Sequence, residues 1–276
     1  MSISSTLVER AEIEFHEAAD VLRPFVGCFW VITAQRDAII RVVPDGSTAI
    51  SIQLQDGRAS EWCLRGPLIR PDERRFTSEA TLVGIRLRPG VAFLLSAIPA
   101  YTTVGCRLAL GPSTRDAGSA HTASAFRDLV AEPLRRPTPE RCIDVLQRFL
   151  VQRLAGASLH PVVSAALQDI EREHGCVRTA DVAARCRISS RHLNRLMRLW
   201  VGCGPKCYAN VIRFQTTLHE MEQLPRRTAA ALAADHGYFD QAHLTLDTSR
   251  FAGATPGHLA SVSVADFSKT RCDDLP

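Results

Sequence analysis

Two stretches of the last hundred residues, Asp181 to Pro205 and Ala231 to Pro256, carry one pattern, which commits this part of the chain to two copies of a single small unit. Val182, Ala183 and Arg187 correspond to Leu232, Ala233 and Gly237 at an offset of 50; His192, Leu193, Trp200, Gly202 and Pro205 correspond to His243, Leu244, Phe251, Gly253 and Pro256 at an offset of 51. The second turn therefore holds one extra residue. In each copy the apolar positions recur at helical spacing, break, and restart after a capping residue, which predicts a short helix, a tight turn and a second helix. Ser189 and Asp240 are the expected caps, because their side-chain oxygens can accept from the orphan amides of the next turn. After each second helix a Gly precedes a Pro at a first helical position, where a missing N–H costs nothing. Helix, short turn and crossing helix make a helix-turn-helix, whose second helix can enter a major groove.

Charge separates a nucleic-acid role from two bland helical hairpins. From Arg178 to Arg213 eight cations stand against the single anion Asp181, a balance of +7, whereas the whole chain carries only +4. Such concentration is the electrostatic footprint of phosphate binding. On the first unit's second helix, Arg191, Asn194, Arg195 and Arg198 share one face and Leu193, Leu196, Met197 and Trp200 the opposite one. Ser190 opens this helix beside the base-reading face. Arg can give two donors to guanine O6 and N7, and Asn can pair with adenine N6 and N7. A solvated charged face, the commoner fate of such a run, normally mixes signs, and this one does not.

Residues from about 165 to 262 resemble the DNA-binding domain of the AraC/XylS transcription regulators. The resemblance rests on Gly237-Tyr-Phe-Asp-Gln-Ala-His-Leu244, Arg250-Phe-Ala-Gly-Ala-Thr-Pro256, Gly204-Pro-Lys-Cys-Tyr208 and Arg213-Phe-Gln215. It implies two units joined by a rigid helix that contact successive major grooves. That helix is expected from about Pro205 to Leu224, ended by Pro225, and at ~1.5 Å per residue it would be roughly 30 Å long, near one turn of DNA. Several positions depart from the family pattern. Arg187 stands where a Gly is usual, at a site that favours positive φ. Leu246 and Ser249 replace common arginines, and Thr248 replaces a core Phe. From Phe214 to Arg250 three cations face five anions, a balance of −2. The first unit is therefore expected to supply most affinity and base reading, with the second docking weakly through Gln241 and Thr245.

With 276 residues and 46% hydrophobic content, two domains are expected. Between Phe25 and Leu87, short β-rich runs alternate with turns: Phe29–Thr33, Ile39–Val43, Pro44-Asp45-Gly46, Thr48–Leu54, Asp56-Gly57 and Leu82–Leu87. They suggest a small barrel or sandwich. Val91 to Ile98 reads as helical, Arg115 to Ala120 as a polar loop, and Pro139 to Ala155 as an amphipathic helix bearing Ile143, Leu146, Phe149, Leu150 and Leu154. That stripe is expected to pack on its own domain rather than form a dimer seam. Trp30, Pro44-Asp-Gly46 and Gly84-Ile-Arg-Leu-Arg-Pro-Gly90 resemble the cupin-like N-terminal domain of some AraC-type regulators, which implies effector sensing or dimerisation. The expected organisation is α+β: a β-rich cupin-like domain with a C-terminal helix at 1–157, an all-α double helix-turn-helix domain at 158–265, and a disordered tail at 266–276.

A metal cupin needs two or three His and an acid on one ion, yet His16 and His121 are the only histidines before residue 140. No nucleophile elbow, P-loop, dinucleotide fingerprint or His-Glu-x-x-His motif is present. The expectation is a non-enzyme without cofactor or metal. Nine cysteines, an odd number, with no secretory signal point to free thiols rather than a disulfide framework. Each alone reads as a small buried hydrophobe. Cys203 and Cys207 are the only close pair, and at the start of a helix the amide dipoles could lower a thiol pKa and create a thiol switch.

No apolar stretch approaches the roughly 18 residues needed to span a membrane, and the N-terminus lacks the pattern of a signal peptide. The expected setting is cytoplasmic and nucleoid-associated, without membrane contact. The expected partners are promoter or operator DNA, RNA polymerase, a small-molecule effector and a second copy of the chain. The sequence supports a sequence-specific transcriptional regulator; the alternative it leaves open is a ligand- or thiol-sensing adaptor with little DNA binding of its own.

Overall fold

A computed structural model describes residues 6–110, 126, 137–224 and 227–261. The polar loop expected at Arg115 to Ala120, the helix-ending Pro225 and the tail expected at 266–276 lie outside them. The N-terminal part is one antiparallel sheet: β1 (Thr6–His16), β2 (Val26–Val42), β3 (Thr48–Gln55), β4 (Arg58–Arg65), β5 (Asp72–Arg75), β6 (Ala80–Leu87) and β7 (Arg107–Ala109). The order is β1-β2-β6-β3-β4-β7, with β5 beside the far end of β2. Phe29–Thr33 and Ile39–Val43, read as two strands from the sequence, belong to the single long β2 and its exit. Asp37 takes a φ of 62° within it, and β1 shifts register opposite, where Arg10 has a φ of 55°. The strand thus bends rather than turns, pairing with β6 before the bend and with β5 after it.

Strand alternation divides this sheet's apolar residues between two cores. Phe29, Val31, Val83, Ile85 and Leu87 join Ile50, Ile52 and α2 (Pro139–Leu154) in one; Ile32, Ala34, Ile40, Ala80 and Leu82 join Phe76 in the other. The α2 stripe of Ile143, Leu146, Phe149, Leu150 and Leu154 packs on this domain. Asp56 and Gly57 both take positive φ, 51° and 70°, and close the β3–β4 hairpin. Helix α1 (Val91–Ser96) leaves the end of β6 through Gly90, whose φ is 89°.

The C-terminal part is helical: α3 (Pro161–Arg172), α4 (Thr179–Arg185), α5 (Ser190–Val201), α6 (Pro205–Gln223), α7 (Ala229–Asp235), α8 (Gln241–Ala252) and α9 (Pro256–Ser261). Val163, Leu167, Ile170, Leu193, Leu196, Met197 and Ile212 close the core of the first unit. Phe214, Leu218, Leu232, Leu244 and Phe251 close the second, with Phe214 and Phe251 rings 5.3 Å apart. Helix α6 contributes to both cores, so the two units are fixed to one rod of roughly 28 Å at ~1.5 Å per residue.

Two seats join the domains. At the first, the Phe93 ring of α1 meets Trp200 of α5 at 4.7 Å, and Gly202 packs against Val104 and Pro67. At the second, the turn after β2 rests on α6: Val43 enters the core of the second unit, and the Gln215 amide donates to the Pro44 carbonyl. Tyr208, fully buried, lies against Gly46 and donates to Glu171 Oε1 at 2.6 Å.

Candidate nucleic-acid interface

Each unit starts its second helix on a side-chain cap. Ser189 Oγ accepts from the His192 amide at 3.2 Å, and Asp240 Oδ1 from the His243 amide at 2.8 Å. Each helix ends on a left-handed glycine, Gly202 with φ 93° and Gly253 with φ 71°. The preceding turns match as well. Arg187 has a φ of 56° where its counterpart Gly237 has 66°. The first unit therefore keeps the same turn as the second and carries the local strain of a side chain at a left-handed position.

On α5, Ser190, Arg191, Asn194, Arg195 and Arg198 are exposed, while Leu193, Leu196 and Met197 are buried and Trp200 is half-buried. Among the described residues, Arg191, Arg195 and Arg198 make no ion pair; Arg195 lies 3.2 Å from His192 Nε2, and the Arg198 guanidinium stands 5.9 Å from the Tyr101 ring centroid. Their donors thus face solvent or an aromatic ring. Asn194 leans back toward the joint between α5 and α6, its Oδ1 occupying the space that a Cβ on Gly204 would need. Tyr101, on the β domain, lines one open cavity of about 600 Å³ with Ser189, Arg191, His192 and Arg195. No sequence pattern marked Tyr101, because its role arises only from domain packing.

The second unit presents a neutral face. Gln241, Ala242, Leu246 and Ser249 are exposed along α8, and Leu246 keeps 71% of its surface in solvent. Thr245 donates to the Gln241 carbonyl at 2.9 Å. Buried Thr248 donates to the Leu244 carbonyl at 2.7 Å, which lets a hydroxyl occupy a core position. The acidic balance read from the sequence is largely spent inside the fold. Asp247 pairs with buried Arg213 at 3.0 Å, Glu220 and Asp235 both pair with Arg227, and Asp240 caps α8. Arg213, counted with the first unit's basic surface, is one of these internal partners. A sum over sequence cannot distinguish such pairs from surface charge.

The thiols differ by site. Cys28, Cys63 and Cys142 are buried, Cys106, Cys186, Cys203 and Cys207 half-buried and Cys176 exposed; Cys272 lies outside the described residues. Burial pushes the Cys63 and Cys186 thiols up, and that of Cys142 to about 11. Cys207 goes the other way, drawn down to about 7 by the neighbouring Cys203 side chain and, against the cost of burial, by the Arg250 cation. Among the described residues no cluster of His, Cys, Asp or Glu could hold a metal ion, and no helix is long and apolar enough to cross a membrane.

Residues 14–107 match a family described as a domain of unknown function (DUF6597), and residues 182–261 one described as a helix-turn-helix domain. No curated protein matches the chain. Three similar solved structures are all of ToxT from Vibrio cholerae. One at 1.65 Å resolution is 10% identical over 92% of this chain and 98% of its own, with a TM-score of 0.41. Another, from strain O395 and bound to (E)-4-(8-methylnaphthalen-1-yl)but-3-enoic acid, is 10% identical over the same shares with a TM-score of 0.42. A third, also from O395, is 12% identical over 92% of this chain and 96% of its own, with a TM-score of 0.39. Residues 182–261 thus match a helix-turn-helix domain, and the structure builds them as two capped units that share one connecting helix.

Proposed function

We propose that the chain is a sequence-specific transcriptional regulator that reads major-groove bases mainly through α5, with α8 docking more weakly on the next groove. The observation that carries this reading is the exposed face of Arg191, Asn194, Arg195 and Arg198, in which no arginine is spent on an ion pair among the described residues. Its counterpart on α8 offers Gln241 and Thr245 and no cation before Arg250. The 157 residues before the helical domain act as the sensing or dimerising part, and their two seats on α5 and α6 are the route by which an effector would alter DNA contact.

A nuclease footprint on genomic fragments selected by the purified protein tests this. Protection is expected over two successive turns, strong under α5 and weak under α8. Arg195→Ala should cost ~1–3 kcal/mol of specific binding and Gln241→Ala much less. Equal losses would overturn the division of labour between the units. Failure to select any fragment, with or without effector candidates, would favour an adaptor that senses a ligand or a thiol oxidant without reading DNA.

A further inference from the structure

Cys203 and Cys207 occupy the joint between α5 and α6. Cys203 lies between Gly202, which caps α5, and Gly204, which caps α6, while Cys207 sits in the first turn of α6. Both line an open cavity of about 520 Å³ whose other walls are Asn194 and Arg198 of α5, Arg250 of α8 and Tyr101 of the β domain. Both helix-turn-helix units and the N-terminal domain therefore meet at one pair of sulfurs.

The pair is chemically unequal. The neighbouring Cys203 side chain and, against the cost of burial, the Arg250 cation favour the Cys207 thiolate, while the neighbouring Cys207 and burial keep Cys203 protonated. A thiolate in an accessible, cation-lined site is the nucleophile in thiol redox chemistry, whereas apolar burial makes a cysteine inert. The buried Cys63 and Cys142 belong to the second class.

We propose that Cys203 and Cys207 form an oxidant-sensing site for hydroperoxides, in which Cys207 is the attacking sulfur and Cys203 the resolving one. The Cys207 thiolate attacks one peroxide oxygen and cleaves the O–O bond, giving a sulfenic acid and, once a proton is taken up, water or an alcohol. Cys203 then attacks the sulfenic sulfur, its thiol proton leaving with the hydroxyl as a second water. The pair loses two electrons to the peroxide and becomes a Cys203–Cys207 disulfide, which a dithiol reduces back.

To form the disulfide the two sulfurs must close to an S–S bond of about 2.05 Å. The residue between the sulfurs that meets the reading helix is Gly204, against which Asn194 rests. Oxidation therefore shifts Asn194 and the α5–α6 angle, and lowers DNA affinity. This second step rests on the regulator reading above, whereas the thiol chemistry does not.

Trypsin cuts after Lys206, between the two cysteines, so the reduced chain yields residues 199–206 and 207–213 as separate peptides. After a stoichiometric pulse of hydrogen peroxide on the full chain and acid quenching, we expect these two peptides linked, with the link lost on dithiothreitol treatment. Cys203→Ser should halt the reaction at a sulfenic acid trapped by dimedone on Cys207, and Cys207→Ser should abolish the reaction. Iodoacetamide at pH 7 should label Cys207 at least tenfold faster than Cys63 or Cys142. Absence of both the linked peptides and selective labelling overturns the site. Linked peptides with unchanged binding to the footprinted duplex overturn the coupling to DNA and leave the site standing. Absence of duplex binding in the reduced protein is a failure of the regulator reading, and the peptide map still decides the chemistry.

Discussion

Tyr101 of the β domain faces Arg198 of α5, its ring centroid 5.9 Å from the guanidinium carbon. The contact holds a candidate base- or phosphate-binding arginine against the N-terminal domain, and Tyr101 lines the cavities on both sides of Arg198. A duplex entering along α5 competes with the ring for that cation. Tyr101→Ala should therefore tighten duplex binding about 2–5-fold, the equivalent of a cation–π contact worth ~0.5–1 kcal/mol at an exposed site. Fluorescence anisotropy with a footprinted fragment would show it. Weaker binding in the variant would mean that Tyr101 holds α5 in its reading posture.

The second seat has a charge at its base. Asp45 is buried, pairs with Arg86 at 2.7 Å and accepts from the Ser47 amide and hydroxyl at 2.8 and 2.6 Å. Burial pushes its carboxyl up, but Arg86, the Ser47 bonds and Arg65 together hold it below the usual carboxylate range. A folded-state pKa lower than the unfolded one contributes stability that is present above the unfolded value and lost as pH falls through the folded value. The wild-type chain should thus lose stability as pH drops below about 4, partly through release of the turn that carries Gly46 onto Tyr208. Asp45→Asn should remove about 3–5 kcal/mol at neutral pH, because it takes away the buried anion that Arg86 and Arg65 both face. Its urea midpoint should also depend less on pH in the acid range. An acid limb as steep as that of the wild type would assign the dependence to other carboxylates.

Arg187 gives a prediction of opposite sign. Its φ of 56° costs a side chain roughly 1 kcal/mol or more relative to Gly, offset in part by glycine's greater unfolded-state freedom. Arg187→Gly should raise stability by ~0.5–1 kcal/mol, read as a higher urea midpoint at unchanged m-value. A loss of stability would show that the Arg187 side chain makes a compensating contact.

Where local chemistry decides the structure, the sequence was legible. Ser189 and Asp240 cap because an oxygen at that position meets free amides, and Gly202 and Gly253 end helices because they tolerate positive φ. The α2 stripe was readable for the same reason, its period being that of its own helix. Long-range partners leave no such trace. β1 was missed because it is identified by pairing with β2, and the two halves of β2 were separated because a bend at Asp37 resembles a turn in sequence. Trp30 lies over Gly84 across the β2–β6 pair, so that glycine is explained by a neighbour fifty-four positions away. Tyr101, Lys206 and Arg250 reach the thiol cavity from three separate elements, a convergence that spacing cannot encode.

Leu246 offers the most direct test of how much the second unit contributes. It is 71% exposed on the face of α8 that corresponds to the arginine-bearing face of α5, and it stands at the position that Arg195 holds in the first unit. An exposed leucine there adds no phosphate contact, and the neighbouring Gln241 and Ser249 add no charge. Leu246→Arg should therefore strengthen binding to every duplex, specific or not, and steepen the dependence of log affinity on log salt by about 0.9, the increment for one further phosphate neutralised. Nuclease protection under the second turn should deepen while the preferred sequence under α5 stays unchanged. A salt slope identical to that of the wild type would place α8 away from the phosphate backbone, and the two-groove docking of this protein would have to be abandoned.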